Sequence, residues 1–149
     1  MSCLVPTVMR EPLVDVVPKN AIISTSSKIL EIDLCTMSPG EVEFSSEYSI
    51  TLNHSEQVNG LVAWWDAEFF RLPRPVTLST SPYSKATHWK QTIFYTSADM
   101  RCERGDVLHG SIANRKSLTN FRELDIKISC HVKSQSSDTK HCVNLYKLR

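Results

Sequence analysis

The residues best able to do chemistry lie together. Ser79-Thr80-Ser81-Pro82 is followed, after a short gap, by Thr87-His88-Trp89-Lys90-Gln91-Thr92. An imidazole exchanges protons near neutrality, so His88 could act as a general acid or base. The indole of Trp89 presents a π-face that attracts a guanidinium or ammonium group. The same residue types also describe a packed rim where a strand begins, and composition does not separate the two. His54, His109, His131 and His141 read as scattered surface residues. In Cys130-His131 and His141-Cys142, neighbours on a strand point to opposite faces and would not share a metal. Asp66 and Glu68 share one strand face and could form a carboxylate pair, or simply a solvated face. The five cysteines, Cys3, Cys35, Cys102, Cys130 and Cys142, form no CxxC pair. No zinc cluster is expected, and free thiols in a reducing compartment are. Nucleophile elbow, P-loop and GxGxxG are all absent.

The elements that must position these residues are strands. The chain has 149 residues, 41% hydrophobic and 22% charged, which suits one globular domain. Seventeen basic residues against sixteen acidic leave a net charge of +1. That balance argues against a nucleic-acid or membrane-surface partner. No apolar run approaches the ~20 residues of a membrane-spanning helix, and the N-terminus does not have the plan of a secretory signal.

Residues 1–27 differ from the rest. Pro6, Pro12 and Pro18 forbid a long helix or a central strand. Leu13-Val14-Asp15-Val16-Val17 and Ala21-Ile22-Ile23 are too apolar for a solvated linker. From Lys28 the pattern has period two. Strands are expected over 28–34, 42–54, 58–70, 76–79, 87–95, 107–113, 124–130 and 141–148. Leu30, Ile32 and Leu34 should face inward in the first, and Phe44, Tyr48, Ile50 and Leu52 in the second. Turns fall at 38–40, 81–84, 105–106 and 134–138, with a polar loop at 114–120. Trp64 and Trp65 should point to opposite faces of one strand, one in the core and the other under a cover. Seven or eight strands without a long helix imply a mainly β sandwich or barrel.

Thr87-His88-Trp89-Lys90-Gln91-Thr92 resembles the THW loop of the protein arginine N-methyltransferases. Leu61 to Phe69 is similar to a barrel strand of that family, and Ser79 to Pro82 to the turn before the loop. Arg122-Glu123-Leu124-Asp125 is similar to a late strand. Met1-Ser2-Cys3 and Glu11 to Val17 resemble the end of its dimerisation arm and the return into the domain. The resemblance spans essentially the whole chain and implies a C-terminal β-barrel without the Rossmann half. Residues 1–27 would be the arm remnant and connecting segment, and residues 28–149 the substrate-side barrel.

The family resemblance also implies roles. His88 would pair with an acid of the absent half and serve catalysis. Thr87, His88 and Trp89 would form the substrate-binding loop of a type I enzyme, which makes mono- and asymmetric dimethylarginine. S-adenosyl-L-methionine would be the methyl donor of the complete enzyme, with none bound by this chain and no metal. Arg/Gly-rich proteins and histone tails would be the substrates, in cytoplasm and nucleus, and the complete enzyme would be a homodimer. The donor motif and the double-glutamate loop of the family are missing from these residues. The chain therefore reads as a fragment, inactive alone, with a non-catalytic interaction module as the alternative.

Overall fold

The computed structural model describes residues 10–133 and 140–149, apart from the side chains of four strand residues. Among the described residues nine strands follow one another: β1 (Leu13–Asp15), β2 (Phe44–Thr51), β3 (Glu56–Ala63), β4 (Asp66–Phe69), β5 (Val76–Ser79), β6 (Gln91–Cys102), β7 (Val107–Lys116), β8 (Leu124–Lys133) and β9 (Lys140–Leu148). The only helical pieces among the described residues are 3-10 turns at Lys19–Ala21 and Pro39–Val42. No described helix is long and apolar enough to cross a membrane.

The mainly β expectation holds. A four-stranded antiparallel sheet runs β2-β7-β8-β9, a three-stranded sheet runs β1-β6-β3, and β4 pairs with β5 in a hairpin. Alternation along the strands aims one face of each larger sheet at a shared core. Tyr48, Leu108, Ile112, Ile126, Ile128 and Tyr146 enter it from the four-stranded sheet, Leu52 from just past β2, and Val58, Phe94 and Met100 from the other sheet. Leu108 and Met100 are almost wholly buried. Burial pushes the Tyr48 phenol well above its ordinary range and Tyr146 up to about 12. Both stay protonated donors. Tyr48 donates to the Ser129 carbonyl at 2.9 Å, and Tyr146 to the Tyr95 carbonyl at 2.7 Å. The second bond ties β9 to β6, the middle strand of the three-stranded sheet, and the Phe94–Tyr146 edge-to-face contact at 5.1 Å packs the two sheets together in the core.

Strand β6 bends to make this possible. Its register with β3 jumps between Val58↔Met100 and Gly60↔Tyr95, so β6 carries extra residues. Such a bulge increases local twist. A Cβ on Gly60 would lie 2.6 Å from the Phe94 carbonyl oxygen, so the close approach at the bulge requires glycine.

Several expectations are corrected. Residues 28–34 form no strand, and their facing is the reverse of that expected. Ile29 packs against the core, whereas Leu30, Ile32 and Leu34 are exposed. Local polar bonds capture the segment instead: Lys28 pairs with Glu31 at 2.7 Å, and Asp33 accepts the Cys35 amide. Such bonds compete with sheet pairing. The 58–70 run is two strands in different sheets, broken at Trp64-Trp65. Neither indole is fully buried, and Trp65 is exposed. The strand expected at 87–95 starts only at Gln91 and continues to Cys102, and β7 runs through Lys116 into the expected polar loop. The turn expected at 134–138 lies outside the described residues.

The cysteine expectation fails at one pair. Cys130 and Cys142 are joined by a disulfide across β8 and β9, where they stand directly opposite. The register decides this: facing positions on adjacent strands bring two Cβ atoms within bridging reach, which linear spacing does not reveal. Cys35 is an exposed thiol and Cys102 a buried one, while Cys3 lies outside the described residues.

Candidate functional site

Thr87-His88-Trp89 forms a turn, in which the Lys90 amide donates to the Thr87 carbonyl at 3.2 Å. Lys90 then takes φ +56°, a left-handed conformation that non-glycine residues seldom adopt. It turns the chain sharply into β6. Strain of this kind persists only where the surroundings over-determine it, and here they do so from three sides.

The first is β1, whose Asp15 is opposite Gln91 in the ladder. Lys90 Nζ donates to Asp15 at 3.0 Å. That bond, with the Val16 amide donating to the same carboxylate, holds the Asp15 carboxyl below its ordinary value. The second is Gln91, buried to 3% exposure. Its Oε1 accepts the Val17 amide at 2.7 Å and its Nε2 donates to the Thr80 carbonyl at 2.7 Å. The third is Thr80, only 1% exposed. Its hydroxyl accepts the Trp65 amide at 3.0 Å and donates to the Trp65 carbonyl at 2.8 Å. The Thr80 amide also donates to that carbonyl. One polar relay therefore links Val17, Gln91, Thr80 and Trp65.

The rings follow from this relay. Trp65 meets Trp89 edge-on, with centroids 5.4 Å apart and planes at 73°. His88 tilts over Trp89 at 3.9 Å and 32°. His88 and Trp89 are both exposed. Among the described residues His88 has no hydrogen-bond or ion-pair partner, and the Thr87 hydroxyl is buried without one. The result is a rigid, solvent-facing aromatic surface on a pinned loop. An indole face so presented can receive a cation.

Sequence reasoning picked out Thr87, His88 and Trp89, and the structure brings the last two together. It did not assign roles to Thr80, Gln91, Lys90 or Asp15, nor pair Trp65 with Trp89. The signal was present only as a glutamine at a strand start, since its partners come from 11 and 74 residues away. Asp66 and Glu68 are exposed on β4.

Beyond the loop, apolar side chains stay uncovered. Trp65, Phe69, Phe70, Leu72 and Val76 cluster in sequence on and around the β4–β5 hairpin, and all are at least 44% exposed. Phe69 faces Val76 across the ladder. Exposed apolar residues gathered on one hairpin are the kind of surface that partners cover.

The four glycines lie at a 3-10 turn, inside β3, in the turn before β7 and inside β7. The one ion pair on the loop among the described residues joins Lys90 to Asp15.

Comparison with known proteins agrees with this geometry. Residues 1–135 match the model of the arginine methyltransferase oligomerization subdomain. Protein arginine N-methyltransferase 1 of Saccharomyces cerevisiae is 40% identical over 139 residues, covering 92% of this chain and 40% of that protein. The Schizosaccharomyces pombe protein of the same name is 42% identical over 122 residues, covering 82% of this chain and 36% of that protein. The chain thus spans about 40% of the first relative's length. Among solved structures, the Trypanosoma brucei PRMT1 enzyme–prozyme heterotetrameric complex with AdoHcy superposes with TM-score 0.87 at 28% identity, covering 96% of this chain and 45% of that one. Arabidopsis thaliana protein arginine methyltransferase 10 shares the fold, with TM-score 0.86 at 22% identity, over 93% of this chain and 42% of that one.

Proposed function

The chain belongs to the protein arginine methyltransferase family, and from that premise we propose that it forms the substrate-side wall of an S-adenosylmethionine-dependent arginine methyltransferase. The observation that carries the reading is the pinned aromatic loop. Trp89 offers its face to a guanidinium, Trp65 braces it edge-on, and Gln91 and Thr80 hold both in place. His88 lies exposed against Trp89, has no hydrogen-bond or ion-pair partner among the described residues, and can meet an acid supplied from elsewhere.

The division of labour follows from the chemistry. Methyl transfer requires donor and nitrogen at attack distance, worth up to about 7–11 kcal/mol through positioning. It also requires carboxylates to orient a guanidinium that never gives up its charge in water. The barrel offers an aromatic floor and a histidine, and no donor cradle or paired glutamates stand beside that floor among the described residues. These 149 residues alone are therefore expected to transfer no methyl group. Arg/Gly-rich segments and histone tails fit the floor chemically, because they present arginine in extended, accessible chain. Dimeric partner and substrates meet this chain through its exposed surfaces.

The exposed apolar residues around the β4–β5 hairpin favour a second reading, a barrel that binds a full-length methyltransferase without catalysis. One experiment separates the two. Methyl transfer from labelled S-adenosylmethionine to an Arg/Gly-rich peptide is measured for the chain alone and for the chain fused behind a donor-binding half from the family. Turnover in the fusion alone, lost with His88→Ala or Trp89→Ala, supports the catalytic wall. A folded but inert fusion supports the interaction module. Turnover in the isolated chain overturns the account of where the donor is held.

A further inference from the structure

Three histidines that look scattered in the sequence form one row in the sheet. His109 on β7 stands directly opposite His131 on β8, and His131 directly opposite His141 on β9. Cross-strand partners project to the same side. Their chain neighbours Leu108, Cys130, Val132 and Cys142 are buried, so the row faces outward, with His131 and His141 exposed and His109 half-buried. The His109 and His131 rings are stacked, with centroids 5.4 Å apart and planes 25° from parallel.

We propose that His109 and His131 chelate a divalent first-row transition ion, bridging β7 and β8 on the outer face of the barrel. Imidazole nitrogens bind zinc, copper or nickel at about 2.0–2.1 Å, and two rings sharing one ion then place their centroids roughly 4.5–6.5 Å apart. The observed spacing lies inside that range. Stacked as they are, the rings present faces rather than nitrogens to each other, so binding would require each to turn, and χ2 of histidine is a soft torsion. Imidazole selects copper, nickel and zinc over the hard ions magnesium and calcium, with copper the tightest.

The sheet also limits the site to two protein ligands. His109 and His141 are two strands apart, about 9.5 Å at the backbone, so they do not converge on one ion with His131. Consistently, no group of three ligating side chains is assembled among the described residues. Glu47, the acid on the outward side of β2, lies opposite Ser111 in the next row. Water completes the coordination sphere, which makes this an open site. A bound ion would clamp the two strands and raise thermal stability with ion concentration.

The test uses the untagged full chain carrying Cys3→Ser and Cys35→Ser, which leaves Cys102, a buried thiol, in place. Copper, nickel, zinc and magnesium are titrated separately, with equilibrium dialysis for stoichiometry and a thermal melt for stability. One equivalent of copper or nickel is expected, with a rise in Tm that magnesium does not reproduce. His131→Ala and His109→Ala should each weaken binding at least tenfold, and His54→Ala should leave it unchanged. His109→Gln, read beside far-UV circular dichroism, separates loss of a ligand from loss of the fold. Binding within twofold of the parent in His131→Ala overturns the site. Loss with His141→Ala but not with His109→Ala overturns the assignment to the β7–β8 pair.

Discussion

The polar relay at Gln91 makes a quantitative claim. Gln91→Met keeps nearly the same volume, so little cavity forms, but both hydrogen bonds are lost. The Val17 amide and the Thr80 carbonyl, each bonded to Gln91 at 2.7 Å, are left without that partner beside buried residues. An orphaned buried group costs about 1–3 kcal/mol, so the pair should cost about 2–6 kcal/mol. With a urea slope of roughly 2 kcal/mol per molar, the midpoint should fall by about 1–3 M. The assay is urea unfolding followed by tryptophan fluorescence, together with amide hydrogen exchange at Val17. Protection there should collapse even under native conditions, because the segment after β1 has lost its anchor. Gln91→Glu keeps the acceptor for Val17 but sets a charged oxygen against the Thr80 carbonyl. Its deficit should shrink as pH falls and the carboxyl becomes a donor. If Gln91→Met unfolds within about 0.3 M of the parent and Val17 stays protected, the relay does not hold the loop.

Other perturbations test other parts of the architecture. A Cβ at Gly110 would collide with the Ser129 carbonyl oxygen and lie 2.5 Å from the Tyr48 hydroxyl, so Gly110→Ala should cost about 3 kcal/mol or more, read as a lower Tm. The Asp15 carboxyl sits below its ordinary value because Lys90 and the Val16 amide bond it. Its contribution is therefore present above the unfolded value and is lost as pH falls through the folded one. An NMR titration should show the Asp15 midpoint rising in Lys90→Ala, and an unchanged midpoint would remove the ion pair from the account. Reducing the Cys130–Cys142 disulfide, which closes a loop of sequence separation 12, should lower stability by roughly 3 kcal/mol. Thiol counting before and after reduction should differ by two.

Much of this protein was decided locally. Alternation along 44–52 and 124–130 determined which side chains enter the core, because a strand has only two faces and one must be dry. Prolines and short polar turns set most strand ends, and the Thr87-His88-Trp89 run announced its family. What the linear pattern could not decide was partnership. Whether 28–34 becomes a strand depends on a neighbour to bond with, and local bonds from Lys28 and Asp33 won. Trp65 braces Trp89 because Thr80, just past β5, holds its backbone from 15 residues away. Gln91 is a relay because the fold brings Val17 and Thr80 to its two ends. Cys130 finds Cys142, and His109 finds His131, through sheet register. Alternation fixes the face a side chain takes, whereas register fixes the neighbour it meets, and register is set only when distant strands pair.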